Sequence, residues 1–301
     1  MPDQPLVSVI SAVYNGERFF AETIAAVIAQ DYRCWEYWIV NDGSTDGTAA
    51  IAREAAAANP DRIHVLEHPG GSNRGLCASR NLALSRARGE YVAIVDADDV
   101  WDPKKLSEQV AIASHFPQAG LIYGRSQYWY SWSAAPEDKA KDHVPALAPG
   151  DRLYGPPELL ALTHPLGAYG APCPSDLLIR RELLSSLGGF EESFDRIQSQ
   201  FEDIALLTKL YLAAPVYVSD RCWDRYRIHP DSLWATGERT GVAAQGRRAY
   251  FDWAEAYFRS HHVTAAEIWR LWRYQTIPYR NPVLHFFMRA GRRLRRTISR
   301  S

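Results

Sequence analysis

The segment Tyr91-Val-Ala-Ile-Val-Asp96-Ala-Asp98-Asp99 is an apolar, β-prone run that ends in three carboxylates within four residues. Like charges gathered at the end of a buried strand are unfavourable unless a cation neutralises them. Oxygen ligands suit Mg²⁺ or Mn²⁺, and Mg²⁺ commonly shares its coordination shell with substrate phosphates. The segment therefore predicts a divalent metal site. The alternative is a polar turn, after which Asp102-Pro103 starts a helix.

Strand and helix patterns alternate on both sides of this segment. Apolar, β-prone runs predict five strands, at residues 6–13, 36–40, 63–66, 91–95 and 121–123. Helical patterns lie between them, at residues 17–30, 48–58 and 76–87 and from residue 102 onward. Such alternation predicts an α/β fold with a mostly parallel sheet covered by helices on both faces. Ligands bind such sheets at the carboxyl ends of the strands, where the polar clusters of this chain fall.

The alternation breaks down after residue 125. Residues 131–153 read as an irregular insertion, with two Ala-Pro steps and Pro149-Gly150. Helices are predicted at 156–163 and 201–214, and extended segments at 175–179, 216–218 and 223–228. Beyond residue 241 the pattern is helical and rich in Trp and Tyr.

Charge is distributed unevenly along a chain that is otherwise ordinary, with 47% hydrophobic and 23% charged residues. Nine of the 34 basic residues follow Glu267, where no acidic residue occurs, so the rest of the chain has a net charge of about −10. The four cysteines are scattered without a Cys-x-x-Cys pair, which disfavours zinc and disulfides. No apolar run is long enough for a membrane span and no signal peptide is evident, so we expect a cytoplasmic location.

Seven short segments, in order, carry a resemblance. They are Val9-Ile-Ser-Ala-Val-Tyr14-Asn15-Gly-Glu17, Val40-Asn-Asp42-Gly-Ser44-Thr-Asp46, Asn73-Arg-Gly75-Leu-Cys-Ala-Ser-Arg80-Asn81, Asp96-Ala-Asp98-Asp99 with Trp101-Asp-Pro-Lys-Lys-Leu106, Gly188-Gly-Phe190, Phe201-Glu202-Asp203, and Tyr226-Arg227-Ile-His229-Pro-Asp-Ser232. Together they resemble a family 2 inverting glycosyltransferase of the GT-A fold, with Asp96-Ala-Asp98 as its DxD motif. The resemblance implies a GT-A catalytic domain over residues 1–235, with a nucleotide-binding half to about 125 and an acceptor half over 126–235. Residues 236–301 would form a basic, helical extension outside it.

The resemblance also implies a nucleotide site at the strand ends. Its residues would be Ala12, Tyr14, Glu17, Asp42, Asn73, Gly75, Arg80, Asp96 and Ala97. Asp42 would accept the imide N–H of uracil, although an Asx turn that caps the next helix is the alternative. Glu17 would be a polar contact to the base or a first-turn acid of a helix. Arg80, near an anion-favouring helix N-terminus, would reach a phosphate or position the DxD carboxylates, with a surface salt bridge as the alternative.

The metal, Mn²⁺ or Mg²⁺, would be held by Asp98 and His229. Asp99, Arg227 and Ser232 would contact the diphosphate or support these ligands. A lone histidine is more often structural, but neutral imidazole suits Mn²⁺. Of the acidic pair Glu202-Asp203, the second would be the base that deprotonates the acceptor. The alternative is that both acids only complement a helix dipole.

Two further features bear on partners. The stretch from Tyr123 to Trp132 holds five aromatic residues, which predict either a sugar-stacking surface or core packing. The basic segment from Trp269 to Arg300 predicts attachment to an anionic membrane surface, on the inner face of the cell membrane, or docking to a partner protein. Nothing else in the chain favours nucleic acid.

We therefore expect an inverting, metal-dependent transferase. It would move a sugar from a UDP-linked donor to a hydroxyl of a surface glycan or lipid-linked saccharide. A sugar-phosphate nucleotidylyltransferase is disfavoured, because Ala12-Val-Tyr-Asn-Gly16 is not a Gly-rich, basic loop. A dehydrogenase is disfavoured by the missing GxGxxG motif. A non-catalytic binding or scaffold protein is the remaining alternative, but a decayed enzyme usually loses its acids first, and this chain keeps all four, Asp42, Asp96, Asp98 and Asp203.

Overall fold

The computed structural model describes residues 4–197 and 200–281. Its strands are β1 (Val7–Val13), β2 (Trp35–Asn41), β3 (Ile63–Glu67), β4 (Tyr91–Ile94), β5 (Val100–Trp101), β6 (Leu121–Trp129), β7 (Arg152–Tyr154), β8 (Leu178–Arg180) and β9 (Val216–Arg227). Its helices are α1 (Phe20–Ile28), α2 (Thr48–Ala58), α3 (Leu76–Leu84), α4 (Lys105–His115), α5 (Glu158–Leu162), α6 (Arg181–Ser186), α7 (Glu202–Ala213), α8 (Leu233–Thr240), α9 (Val242–Ser260) and α10 (Ala266–Arg280).

The strands form one sheet in the order β3-β2-β1-β4-β8-β6-β9-β5, with β7 paired to β9. The first four strands in this order are parallel, as the alternating pattern predicts. Antiparallel pairing joins β8 to β4 and to β6, while β6 and β9 run parallel. The carboxyl ends of β1, β2 and β4 therefore lie side by side at one end of the sheet, which is called the strand edge below. The carboxyl end of β9 lies on the same side.

Apolar residues of the strands pack on both faces of the sheet. One cluster joins β1, β2 and β4 to α1 and α4, and includes Val9, Phe20 and Leu106. The other includes Ile94 of β4 and Leu207 of α7. Trp272 of α10 belongs to that second cluster, so the helices after residue 236 share the core of the preceding chain.

Most predicted elements are present, with shifted ends. The helix expected over residues 17–30 spans Phe20–Ile28, and the strand expected at 121–123 extends through the aromatic stretch to Trp129. The two extended segments predicted at 216–218 and 223–228 form one strand, β9, because that strand continues along β6 through an irregular register.

Candidate functional site

Asp42 lies at the carboxyl end of β2 and fixes the next polar loop. Its two carboxylate oxygens accept the backbone N–H groups of Arg74, at 2.7 Å, and Gly75, at 3.0 Å. The side chain that closes the turn after β2 is instead Asn41, whose Oδ1 accepts the N–H of Ser44. Asp42 is therefore not the helix cap of the alternative interpretation. It brings the Asn73–Gly75 loop to the strand edge, where the nucleotide site was expected.

The loop after β1 is joined to the loop after β2 by Glu17. The Glu17 carboxylate accepts the N–H of Gly47 at 2.6 Å, and its own N–H donates to Asp46. Since α1 begins only at Phe20, Glu17 is not a first-turn acid of that helix. Tyr14 in the same loop has an exposed side chain. Ala12, near the end of β1, pairs in register with Val40 of β2, so the predicted base-binding residues occupy adjacent positions along the edge.

The N-terminus of α3 already holds an anion from the chain itself. Asp195 accepts the N–H groups of Cys77 and Ala78, both at 3.0 Å. Gly75 is needed beside it, because a Cβ there would lie 2.4 Å from Asp195 Cγ and the residue has φ +100°. A carboxylate of the chain thus satisfies two N–H groups in the first turn of α3, and binding of a phosphate near this terminus stays a prediction.

Arg80, on α3, links two carboxylates that are far apart in sequence. Its Nη2 lies 2.6 Å from Asp96 Oδ1 and its Nη1 lies 3.0 Å from Glu202 Oε1. The side chain is only 1% exposed. Arg80 therefore positions carboxylates, as one of the two predicted roles had it. A surface salt bridge is not compatible with this burial, and the other predicted role, contact with a phosphate, stays a prediction.

Asp98 and His229 lie opposite each other at the ends of β4 and β9. Asp98 Oδ2 is 2.9 Å from His229 Nε2, and the other ring nitrogen, Nδ1, is buried without a hydrogen-bond partner among the described residues. Among those residues no group of three or more His, Cys, Asp or Glu side chains converges to hold a metal ion. Ala97 separates Asp98 from Asp96, whose backbone N–H is held by Ser175.

Asp99 is turned away from this pair and is fully buried. One of its oxygens accepts the Ser175 hydroxyl at 2.5 Å and the other accepts the backbone N–H of Arg227 at 3.0 Å. Burial, with the nearby carboxylates of Asp98 and Asp96, raises the pKa of Asp99 well above its ordinary value. A direct contact of Asp99 with a diphosphate or metal is therefore not supported; it fixes the end of β9 beside Asp98.

Arg227 is likewise buried, in a cage of aromatic rings. Its guanidinium carbon lies 4.4 Å from the centre of the Phe19 ring and 4.5 Å from that of Trp129. Its Nε donates to the carbonyl of Asp98, and its Nη2 lies 2.6 Å from Glu22. Arg227 thus holds the backbone of Asp98 in place, and a contact of its side chain with a diphosphate stays a prediction.

Ser232 and the aromatic stretch have structural roles as well. The Ser232 hydroxyl accepts the N–H of Ala235 and so caps α8, which leaves no support for a diphosphate contact. Tyr123 is buried in the core, and Trp129 packs against Arg227. Core and cage packing therefore account for much of the aromatic stretch.

The acidic pair Glu202-Asp203 begins α7. Its entry is unusual, since Phe201 has φ +68°, a left-handed conformation that is strained for an aromatic residue. Asp203 accepts the N–H of Ile204 and keeps its second oxygen without a hydrogen bond to any described residue. Burial raises the pKa of Asp203, and burial with the adjacent Asp203 carboxylate raises that of Glu202 to about 8. Both groups are thus more basic than ordinary carboxylates.

A comparison with models of protein families identifies the family of this chain. The sequence model described as "Glycosyl transferase family 2" matches residues 8–185, more than half of the chain. The chain belongs to glycosyl transferase family 2.

Relatives named as glycosyltransferases match more than a third of the chain. The putative glycosyltransferase EpsE of Bacillus subtilis is 44% identical over 37% of this chain and 39% of its own length. The putative teichuronic acid biosynthesis glycosyltransferase TuaG of the same species is 42% identical over 36% and 41%, respectively. The match thus spans about two fifths of the length of these relatives.

Solved structures share the fold over more of the chain. Residues 1–349 of S. aureus TarS, in complex with UDP, have a TM-score of 0.55 and 20% identity, and the alignment covers 80% of this chain and 64% of that one. The mannosyltransferase PcManGT from Pyrobaculum calidifontis, with GDP-Man and Mn²⁺, has a TM-score of 0.54 and 20% identity, over 97% and 81%. These likenesses confirm the predicted α/β, GT-A fold.

Several residues around this family 2 site were not found from the sequence. Asp195, Ser175 and Glu22 carry no motif, and each is known only from its contact across the fold. Asp224 is a further case: it is buried on β9, and burial raises its pKa to about 7. The sequence did contain a signal for Asp224, since an acidic residue inside a strand of buried residues needs an explanation. Buried Lys105 lies nearby, and burial lowers the pKa of its ammonium to about 8.

The basic tail remains a sequence-based expectation. Six of its arginines, from Arg289 to Arg300, lie outside the described residues, while Arg270, Arg273 and Arg280 are on α10. Among the helices of residues 4–197 and 200–281, none is long and apolar enough to cross a lipid bilayer.

Proposed function

We propose that this chain is a metal-dependent, inverting glycosyltransferase that moves a sugar from a UDP-linked donor to a hydroxyl of a growing surface polysaccharide or lipid-linked saccharide. The observation that carries the proposal is the joining of two half-sites: Asp98 faces His229 at 2.9 Å, and Arg80 ties Asp96 to the helix that starts with Glu202 and Asp203. One half would bind the nucleotide diphosphate, and the other would act on the acceptor.

The chemistry of the Asp98–His229 pair fits Mn²⁺ or Mg²⁺. A carboxylate oxygen of Asp98 and an imidazole nitrogen of His229 face each other, and both are ligands that such ions accept. The Asp98 side chain is 28% exposed, so an ion can reach it from solvent. Asp98 and His229 would hold the ion, with donor phosphates completing its shell. When bound, the ion would neutralise the charge of the departing nucleoside diphosphate. The presence of Mn²⁺ together with GDP-Man in the PcManGT complex supports this assignment.

Asp203 would act on the acceptor. Its carboxylate would take the proton of the acceptor hydroxyl while the hydroxyl oxygen attacks the anomeric carbon. The bond from that carbon to the phosphate oxygen would break on the opposite face, and the nucleoside diphosphate would leave with the electron pair. The raised pKa of Asp203 supports this role, because a stronger base takes a hydroxyl proton more readily. Glu202, paired with Arg80, would hold the helix start in place.

The nucleotide would lie along the β1, β2 and α3 loops. Each Asp42 oxygen uses one acceptor direction for a backbone N–H, which leaves another for the imide N–H of uracil. Tyr14, exposed beside it, offers a ring face to the base. TarS structures with UDP and with UDP-GlcNAc support a uridine donor. The glycan class is supported by relatives named for teichuronic acid and colanic acid biosynthesis.

The test separates acceptor chemistry from donor binding. Asp203→Asn should lower sugar transfer by at least about 100-fold and leave UDP binding, measured by titration calorimetry, within about twofold of wild type. Asp252→Asn, which changes an exposed carboxylate on α9, is the matched control and should transfer normally. Transfer by Asp203→Asn within a few-fold of wild type would remove Asp203 as the base and make Glu202 the next candidate.

A further inference from the structure

An exposed indole stands on α8, next to the candidate site. Trp234 is 59% exposed and its neighbour Leu233 is 46% exposed. A tryptophan is the side chain with the most apolar surface to bury, so exposing one on a structured helix is unfavourable unless something covers it.

The helix that carries Trp234 is fastened at both ends. At its start, Ser232 caps the N–H of Ala235, and Gln200 Nε2 donates to the carbonyl of Leu233 at 3.1 Å. Near its end, Arg239 Nη1 donates to the carbonyl of Pro230 at 3.1 Å. Gly237 packs so closely that a Cβ would lie 2.7 Å from the Gln200 amide. The exposure of Trp234 therefore belongs to a fixed helix and not to a frayed end.

These same contacts place Trp234 between the two half-sites. The Ser232 N–H donates to the carbonyl of His229, and Trp234 follows Ser232 by two residues, so their Cα atoms are at most about 7 Å apart. On the other side, Gln200, which holds Leu233, precedes Asp203 by three residues. The indole is thus bounded by the segment of the expected metal ligand and by that of the expected base.

A carboxylate shares the exposed face. Glu238 follows Trp234 by four residues, which puts both side chains on one face of α8. Glu238 is exposed and forms no ion pair or side-chain hydrogen bond with any residue of 4–197 or 200–281. An aromatic ring beside a free carboxylate matches a sugar, whose C–H face stacks on the ring while its hydroxyls donate to the carboxylate.

We propose that Trp234 and Glu238 form the binding site for a saccharide ring of the acceptor, a role that rests on the proposed transferase function. Trp234 would stack on the apolar face of the ring, and Glu238 would accept hydroxyl hydrogen bonds. The site would hold the acceptor ring while a hydroxyl is directed at Asp203.

The experiment uses an array of bacterial surface polysaccharides and oligosaccharides, probed with the full chain in UDP and Mn²⁺. Wild type should capture a defined set of glycans. Trp234→Ala should lower that capture at least about tenfold, Trp234→Phe should retain part of it, and Glu238→Gln should weaken it several-fold. Tyr274→Ala, which removes an aromatic side chain that is 47% exposed on α10, is the matched control and should bind glycans as wild type does.

The outcomes distinguish the two proposals. Equal glycan capture by Trp234→Ala and wild type, or no capture by a wild type that binds UDP, would overturn the acceptor site and leave the transferase proposal standing. Loss of binding to phosphatidylglycerol vesicles in Trp234→Ala, with glycan capture intact, would overturn it in favour of a lipid surface. Failure of the wild type to bind UDP with Mn²⁺ would overturn the proposed function itself.

Discussion

The guanidinium of Arg80 lies 3.0 Å from the carboxylate of Glu202, although 122 positions separate them in the chain. With its other nitrogen on Asp96, Arg80 connects the end of β4 to the start of α7. Because Arg80 is buried, both contacts are shielded from solvent and strongly orienting. One planar side chain thus links the segment that contains Asp96 to the start of α7.

Arg80→Lys tests this connection. Lysine keeps the positive charge but cannot reach two carboxylates with a rigid fork, so the half-sites should shift relative to each other. We expect sugar transfer to fall about 100-fold, since small displacements in an active site have effects of that size. The measurement compares the rates at which Arg80→Lys and wild type transfer sugar from a panel of UDP-sugars.

The control for that change is Arg270→Lys, in an exposed pair with Glu267. Ion pairs at the surface contribute little to stability, so the unfolding free energy and the transfer rate of Arg270→Lys should match those of wild type. If Arg80→Lys also retained the wild-type transfer rate, Arg80 would be only a structural residue of α3.

Asp98→Asn tests the metal pair. The substitution keeps shape and removes one charge, so Mn²⁺ should no longer strengthen UDP binding by more than about twofold, as measured by calorimetry with and without the ion. His229→Gln should have the same effect. Asp102→Asn, a few residues along the same segment and outside the pair, should leave the Mn²⁺ dependence intact. A persistent Mn²⁺ effect in Asp98→Asn would exclude Asp98 as a ligand.

Glu202→Gln tests the ionisation of the buried pair. Glu202 has a folded pKa of about 8, raised from an ordinary value of 4.5. Between pH 4.5 and 8 the unfolded chain has therefore lost a proton that the folded chain retains, so this residue makes wild-type stability fall as pH rises through that window. Glu202→Gln cannot ionise at this position, so it lacks this fall in stability.

Urea unfolding of Glu202→Gln and wild type at pH 5 and pH 8 measures the difference. Buried carboxylates that do not interact with Glu202 titrate alike in both proteins and cancel in the comparison. We expect the stability of the variant relative to wild type to increase from the lower to the higher pH. An unchanged relative stability between the two pH values would mean that Glu202 is already ionised at pH 5, held by Arg80.

Asp195→Ala tests the internal anion at α3. The change leaves the N–H groups of Cys77 and Ala78 without their carboxylate, which should reduce the unfolding free energy by about 1–2 kcal/mol. Asp195→Asn, which keeps one acceptor oxygen, should lose less. Asp61→Ala, at an exposed carboxylate before β3, should change stability little. Equal stability of Asp195→Ala and wild type would show that water satisfies these groups as well.

The part of the site that could be predicted from the sequence is the part that local pattern encodes. The strand that ends in Asp96 and Asp98, and the polar turn at Asp42, follow from apolar runs that stop at carboxylates. The closeness of these residues in space can also be predicted, since the carboxyl ends of parallel strands lie on one side of the sheet.

What the sequence did not indicate are the partners of these groups. Whether Asp99 faces a ligand or the interior depends on the pairing of β9, which brings the N–H of Arg227 to its oxygen. Whether an anion site at α3 is open depends on Asp195, which lies 118 positions beyond Cys77. Such contacts are set by tertiary packing, so a motif identifies the group but not its role.

The place of β9 in the sheet has a consequence for biosynthesis. Beyond its first two residues, β6 pairs with β9 and, at Tyr128 alone, with His143, and β9 is the last of the described strands to be translated. Until residues 216–227 have left the ribosome, most of the aromatic strand Leu121–Trp129 is therefore an open edge, able to pair with other chains. His229 arrives only after that strand, so a partly synthesised chain has Asp98 without its partner. Closure of the sheet and the contact of Asp98 with His229 therefore both wait for residues 216–229.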